Sequence, residues 1–221
     1  MFKTETHLHV SEISPCSHLT AREMIELYAN AGYSTVFVSD HLKSRFYDKF
    51  PELTLKEKVD EFFYGYDEAK KAGDELGVNV LISAELTYDH SPNHYLLYGF
   101  EKSFFYDLPN LFTMPKEEFY RYAKSKGVTV VQAHPYRDGK NTPDSSDIID
   151  AVEAHNSNPR HDNFTEDCFA YASANGLPVT GGSDAHRLED VARGGVITDV
   201  EITTAEQYVE LLMAGKLEII K

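Results

Sequence analysis

Tryptophan is absent from the 221-residue chain, and cysteine nearly so. Cys16 and Cys168 belong to no C-x-x-C pair, so neither a disulfide framework nor a cysteine-based zinc or redox motif is indicated, and two reduced thiols are expected. No apolar run approaches the roughly 20 residues that span a bilayer. The N-terminus, MFKTETHLHV, lacks the apolar stretch of a signal peptide. These absences lead to the expectation of a cytoplasmic protein with no membrane partner. A P-loop, a G-x-S-x-G elbow and a cysteine-phosphatase loop are also missing, which leaves no sequence context for a side-chain nucleophile. No repeat or linker-like segment interrupts residues 1–221, and one domain over that span is expected.

Positive charge is scarce: 21 Lys and Arg face 36 Asp and Glu, for a formal net charge of −15. Such a chain repels a phosphate backbone unless its bases gather on one face, and no basic cluster is visible along the sequence, so no nucleic-acid partner is expected. The same acidity suits divalent cations, whose charge offsets pocket carboxylates and still lets a small anionic substrate bind.

What is present is the composition of a globular protein, 42% hydrophobic and 26% charged. Eight short apolar or β-branched runs cover residues 2–10, 34–41, 78–86, 94–100, 128–135, 148–156, 177–184 and 194–200. Between most of them lie segments of helical period, such as TAREMIELYANAG and the long LKEKVDEFFYGYDEAKKAGDELG, several closed by Gly. Alternation of this kind predicts parallel strands with helical crossovers, and VTVVQA reads as a strand covered on both faces. The expected architecture is α/β, a distorted βα-barrel. Two aromatic-rich stretches, residues 42–53 and 101–114, break the rhythm and are candidates for loops or caps over a site.

Ligand-type residues fall at the ends of the runs: His7 and His9, His41, Glu85, His134, and Asp184 with His186. In parallel α/β folds the carboxyl ends of the strands share one rim, so residues far apart in sequence meet there. His7 and His9, two positions apart, project to the same side of a strand, with Leu8 on the opposite one. A lone histidine at a strand end is ordinarily solvated or hydrogen-bonded. Repetition along one rim favours a metal site, where imidazole and carboxylate donors suit Zn, Mn or Fe and a carboxylate such as Glu85 can bridge two ions.

The ordered set T-H-L-H-V, V-S-D-H, S-A-E, A-H-P and G-S-D-A-H resembles the polymerase-and-histidinol-phosphatase (PHP) domain family over almost the whole chain. The resemblance implies a distorted seven-stranded (β/α)7 TIM-like barrel holding two to three divalent transition-metal ions. It implies that His7, His9 and Asp184 hold one ion, that Glu85 bridges to a second completed by His94 and His134, and that His41 and His186 serve a third. Many relatives carry a further ligand shortly after H-x-H, where this chain reads V-S-E-I-S-P-C-S. Glu12 is the candidate because it lies nearest His9, with Cys16 and His18 also chemically capable. Asp40 is a candidate for orienting a histidine. Glu153 and His155 should both point inward, more in a structural than a ligating role, and His90 and His161 are expected in solvated loops.

The chemistry expected of such a centre is hydrolysis of a small phosphate monoester by metal-bound hydroxide, with no protein nucleophile. Arg137 and Arg187, which follow A-H-P-Y and S-D-A-H, are the candidates for bidentate phosphate contacts, against the plainer alternative of surface ion pairs. Two other readings stay open: a protein tyrosine phosphatase of the same family, and a non-catalytic, metal-stabilised scaffold module.

Overall fold

The computed structural model describes residues 1–221. The chain order is β1 (Phe2–Leu8), α1 (Ala21–Asn30), β2 (Thr35–Val38), β3 (His41–Leu42), α2 (Ser44–Tyr47), α3 (Leu55–Phe62), α4 (Tyr64–Leu76), β4 (Asn79–Ile82) and β5 (Ala84–Thr87). It continues through β6 (His94–Tyr98), α5 (Lys116–Ser125), β7 (Thr129–Ala133), β8 (Ala151–Asn156), α6 (Thr165–Asn175), β9 (Val179–Gly182), β10 (Val196–Thr198), α7 (Ala205–Met213) and β11 (Glu218–Ile219). All eight expected runs carry a strand. No helix is long and apolar enough to cross a membrane.

The strands form two mixed sheets, β11-β10-β1-β2-β4 and β3-β5-β6-β7-β8-β9. Short breaks at Ser39–Asp40 and at Ser83 divide β2 from β3 and β4 from β5, so each sheet continues into the other. A single parallel bridge from Leu8 to Ala185 ties the end of β1 to the residues following β9. An all-parallel arrangement does not hold: β6 is antiparallel to both β5 and β7, and β10 is antiparallel to β1. Only residues 88–93 join β5 to β6. That is too short for a parallel crossover, which needs about a dozen residues or more, and long enough for a hairpin.

The helices follow from their local sequence. Thr20 and Glu23 form a capping box at α1, whose Ala21, Met24, Ile25 and Tyr28 make one buried stripe. Thr54 and Glu57 repeat the device at α3. The long helical segment expected after residue 54 is divided at Phe63, which ends α3, begins α4 and is buried. Close packing accompanies the division. A Cβ on Gly65 would lie 2.7 Å from Val10 and 2.8 Å from Ile13, so only glycine lets α4 press this closely on the loop after β1.

The aromatic stretch 101–114 is no cap over the site. It buries Phe104, Phe105, Leu108, Leu111 and Phe112 in the largest core, with Phe62, Phe63 and Phe119. Apolar mass of this kind is held by burial rather than by a ligand. Phe105→Ala is therefore expected to lower unfolding stability by about 3–5 kcal/mol in denaturant titration, with the metal content of the folded protein unchanged. Unchanged stability with altered substrate kinetics would restore the cap.

Candidate metal centre

Strand pairing assembles the site. In the β3–β5 register His41 lies opposite Glu85, and in the hairpin that follows His94 pairs with Thr87 on one side and with Ala133, the neighbour of His134, on the other. The His9 amide donates to the Ala185 carbonyl at 3.0 Å, which sets His9 between Asp184 and His186. Leu8 points away into the core formed with α1 and α4, as the strand alternation predicts. A Cβ on Gly182 would lie 2.6 Å from His7 Cβ, so this glycine admits the close approach of β9 to His7.

Eight of the nine candidate ligands converge. Glu85 is the hub: its carboxylate lies 2.7 Å from His94 Nδ1, 3.1 Å from His134 Nε2, 3.6 Å from His7 Nε2 and 3.9 Å from His9 Nε2, and touches His41 Nδ1. Asp184 Oδ1 lies 3.0 Å from His9 Nε2 and 3.4 Å from His7 Nε2. His186 Nε2 faces His41 Nε2 at 3.3 Å. Three sets of donor atoms each lie within 4.8 Å of one another: His9, His41 and His186; His7, His9 and Glu85; His41, Glu85 and His94.

The donor set fits cations on grounds of hydrogen bonding alone. His7 Nδ1 donates to Glu153 Oε1 at 2.8 Å and His186 Nδ1 donates to the Asp184 carbonyl at 2.8 Å, so in their neutral forms both rings direct an Nε2 lone pair inward. His9 Nε2 stands 3.1 Å from that of His7. Glu85 Oε2, both Asp184 carboxylate oxygens and His41 Nδ1 are buried without a partner of hydrogen-bonding geometry. Buried acceptors facing one another are costly unless a positive charge lies between them.

Electrostatics points the same way. Burial alone would raise the pKa of Glu85 and of Asp184. The surrounding histidines, joined at Asp184 by Arg137, outweigh it and hold both carboxyls well below the ordinary range. Burial lowers His41 and His134 to about 4, which leaves their rings neutral and able to donate to a metal. Burial would also lower His7, but Glu153, Asp184 and Glu85 push it up to about 10, so the pocket is anionic enough to retain a positive charge on that ring. His134 and Asp184 further hold φ of 30° and 52°. Left-handed backbone at residues other than glycine costs on the order of 1–3 kcal/mol and concentrates at functional sites.

Glu12 is not brought into the cluster. Both of its carboxylate oxygens lie 3.0 Å from the Ala21 amide, at the N-terminus of α1. Chain distance from His9 misleads because residues 11–13 turn away. Cys16 lines the cleft and His18 is exposed. Asp40 touches no histidine ring; it accepts from the Val10 amide and the Ser14 hydroxyl, whose oxygen lies 3.4 Å from His9 Nδ1. Glu153 has the structural role expected, accepting from His7 and from the His134 amide. A register shift between Glu153 and His155 breaks the alternation, and His155 reaches toward Thr165 instead. His90 is exposed, whereas His161 stands on the cleft wall 2.9 Å from Asp138.

The cluster lies under a cleft of about 440 Å³. Arg137 and Arg187 both line it. Arg137 Nη2 lies 2.6 Å from Asp184 Oδ2 and its Nε donates to Asn163, while the acid nearest the Arg187 guanidinium is Glu189 at 3.9 Å. Lys43, Arg45, Lys140 and Arg160 join them on the walls, where the only acids are Asp138 and Asp184. The structure thus gathers six bases that the sequence scatters, which removes the ground for expecting no nucleic-acid partner. Asn141, within 3.3 Å of His134 Nδ1, and Asp190, which accepts from the His186 and Arg187 amides, also belong to the site, and no sequence signal marks either.

Residues 168–217 match the PHP-associated family. No curated protein matches the sequence significantly. Among solved structures, the chain is similar to a two-domain protein of Bacteroides vulgatus that contains a predicted PHP-like metal-dependent phosphoesterase, with a TM-score of 0.70, 14% identity and coverage of 99% of this chain. It spans 64% of that protein's length. An amidohydrolase from Chromobacterium violaceum, with sulfate bound and no metal, gives a TM-score of 0.56 at 15% identity, covering 97% of each chain. The lesion-specific endonuclease EndoQ of Pyrococcus furiosus gives 0.64 at 17% identity over 99% of this chain and 57% of its own. At these identities the likeness is one of fold.

The placement of Glu12 separates two roles by experiment. Glu12→Gln is expected to keep the metal content of the wild type, measured by elemental mass spectrometry, and to cost about 0.5–2 kcal/mol through the weakened helix cap. Asp184→Asn is expected to lose at least one equivalent. Loss of metal from Glu12→Gln would return that residue to the ligand set.

Proposed function

We propose that the chain is a metal-dependent phosphoesterase of the PHP type acting on a small phosphate monoester. The observation that carries the proposal is the juxtaposition of eight convergent metal-type donors with a wall of six cationic side chains. The donors suit two to three divalent ions, with His7, His9 and Asp184, then Glu85, His94 and His134, then His41 and His186 as the residues that would hold them. Ions bound there would supply Lewis acidity, offsetting charge on phosphoryl oxygens and lowering the pKa of water. Leu8–Ala185 bridging, with strands running on from β2 into β3 and from β4 into β5, supports reading the two sheets as one distorted seven-stranded barrel in a single PHP domain.

The chain's own residues orient and attract. Glu153 and Asn141 fix the rings of His7 and His134. Arg137 and Arg187 offer guanidinium forks to phosphoryl oxygens, Arg137 already aimed at the cluster by Asn163 and Asp184. Desolvation pushes the Cys16 thiol up, which disfavours the thiolate form of the only cysteine lining the cleft. A phosphodiester in a nucleic-acid strand is the second reading. The grouped cations favour it, and one protein of similar fold is an endonuclease.

The test is a panel of phosphate monoesters, a phosphotyrosyl peptide and a single-stranded oligonucleotide, each offered to protein supplied with Mn, Zn or Fe. Monoester turnover is expected, abolished by chelation and reduced at least about a hundredfold in His9→Ala. Hydrolysis indifferent to chelator and to His9→Ala would overturn the proposal, and turnover confined to the oligonucleotide would select the second reading.

A further inference from the structure

A second lobe of about 310 Å³ adjoins the main cleft and shares His41, Lys43 and Arg45 with it. Besides His41, its lining consists of three cations, Lys43, Arg45 and Lys49, and three apolar residues, Ile13, Pro15 and Phe46, with no acid among them. None of the three cations joins an ion pair, whereas Arg137 and Arg160 in the main cleft are tied to Asp184 and Asp190. The segment bearing them is anchored. Phe46 and Tyr47 are buried in the aromatic core against Phe62 and Phe112, and Ser44 Oγ donates to Asp89 at 2.6 Å. Lys49 Nζ lies 5.2 Å from the centre of the Phe46 ring, which keeps its charge beside the apolar part of the lobe.

In a chain whose net charge is −15, three adjacent cations without acids are an exception. Like charges held together repel one another unless an anion is taken up. A ligand suited to this lining combines an apolar body, for Ile13, Pro15 and Phe46, with an anionic group, for the cations. His41, shared by both lobes, places such a ligand next to the metal-type cluster.

We propose that this lobe is a second anion subsite that selects phosphoesters whose leaving group carries an apolar body and a further anionic group. The scissile phosphate then lies over the cluster, and the rest of the molecule crosses His41 into the lobe. The substrate class named here rests on the phosphoesterase reading, but occupancy of the lobe does not.

Two measurements keep those claims separate. Naphthalene-2,6-disulfonate, an apolar dianion that binds metals weakly, is titrated calorimetrically into the wild type, into Lys43→Ala/Arg45→Ala/Lys49→Ala, and into Lys58→Ala/Lys126→Ala, which removes cations elsewhere. Binding to the wild type is expected to weaken at least about tenfold in the triple variant and to hold in the control. Absence of binding, or equal binding in all three, overturns the subsite. The second measurement is the ratio of kcat/KM for 4-carboxyphenyl phosphate to that for phenyl phosphate. The ratio is expected to exceed one, to fall through KM in Arg45→Ala/Lys49→Ala, and to recover in Arg45→Lys. A ratio that the substitutions leave unchanged overturns the specificity claim. Hydrolysis of neither ester counts against the phosphoesterase reading, while the titration still decides the lobe.

Discussion

The carboxylate of Glu85 is fully buried, with nitrogens of five histidines within 4 Å of its oxygens. An ionised carboxylate without solvent costs several kcal/mol unless opposite charge and hydrogen bonds compensate it. Here Oε2 has no partner of hydrogen-bonding geometry, and Asp184 repeats the problem on the other side of His7 and His9. The rest of the site follows from this shortage of positive charge. Arg137 lies against Asp184, His7 is driven toward its charged form, and neighbouring rings turn their nitrogens inward. Divalent ions would supply the positive charge that these groups lack, which the protein's own hydrogen bonds do not.

Holding such a cluster requires a scaffold that brings distant residues to one place without freedom to relax. Sheet registers fix His41 against Glu85 and His94 against the His134 strand end, and the Leu8–Ala185 bridge fixes the two chain regions that carry His9, Asp184 and His186. The left-handed φ at His134 and Asp184 then bends the chain at two points where the side chains must face the cluster. Asp190 secures the last loop by accepting from two of its amides.

Much of this was legible in the sequence because strand ends share a rim, so H-x-H, V-S-D-H, S-A-E, A-H-P and G-S-D-A-H point to one place before any coordinate is known. Legibility failed where chain distance and spatial distance part. Glu12 is three residues from His9, yet the intervening turn sends its carboxylate to α1. The expectation of parallel strands with helical crossovers failed at β6, where the linker length was the better guide than the apolar pattern. The basic wall was invisible because Lys43, Arg137, Arg160 and Arg187 are never neighbours in sequence. The 101–114 stretch misled for another reason: exposed-looking aromatics between two strands served the core.

The central claim is that cations, not protons or solvent, complete the buried cluster. The most direct measurement is anomalous diffraction from crystals grown with Mn or Zn, collected on both sides of the metal edge. Two or three anomalous peaks are expected within the space enclosed by His7, His9, His41, Glu85, His94, His134, Asp184 and His186, with none at Glu12. An anomalous map with no peak there at saturating metal, and the histidine nitrogens still in mutual contact, would contradict it.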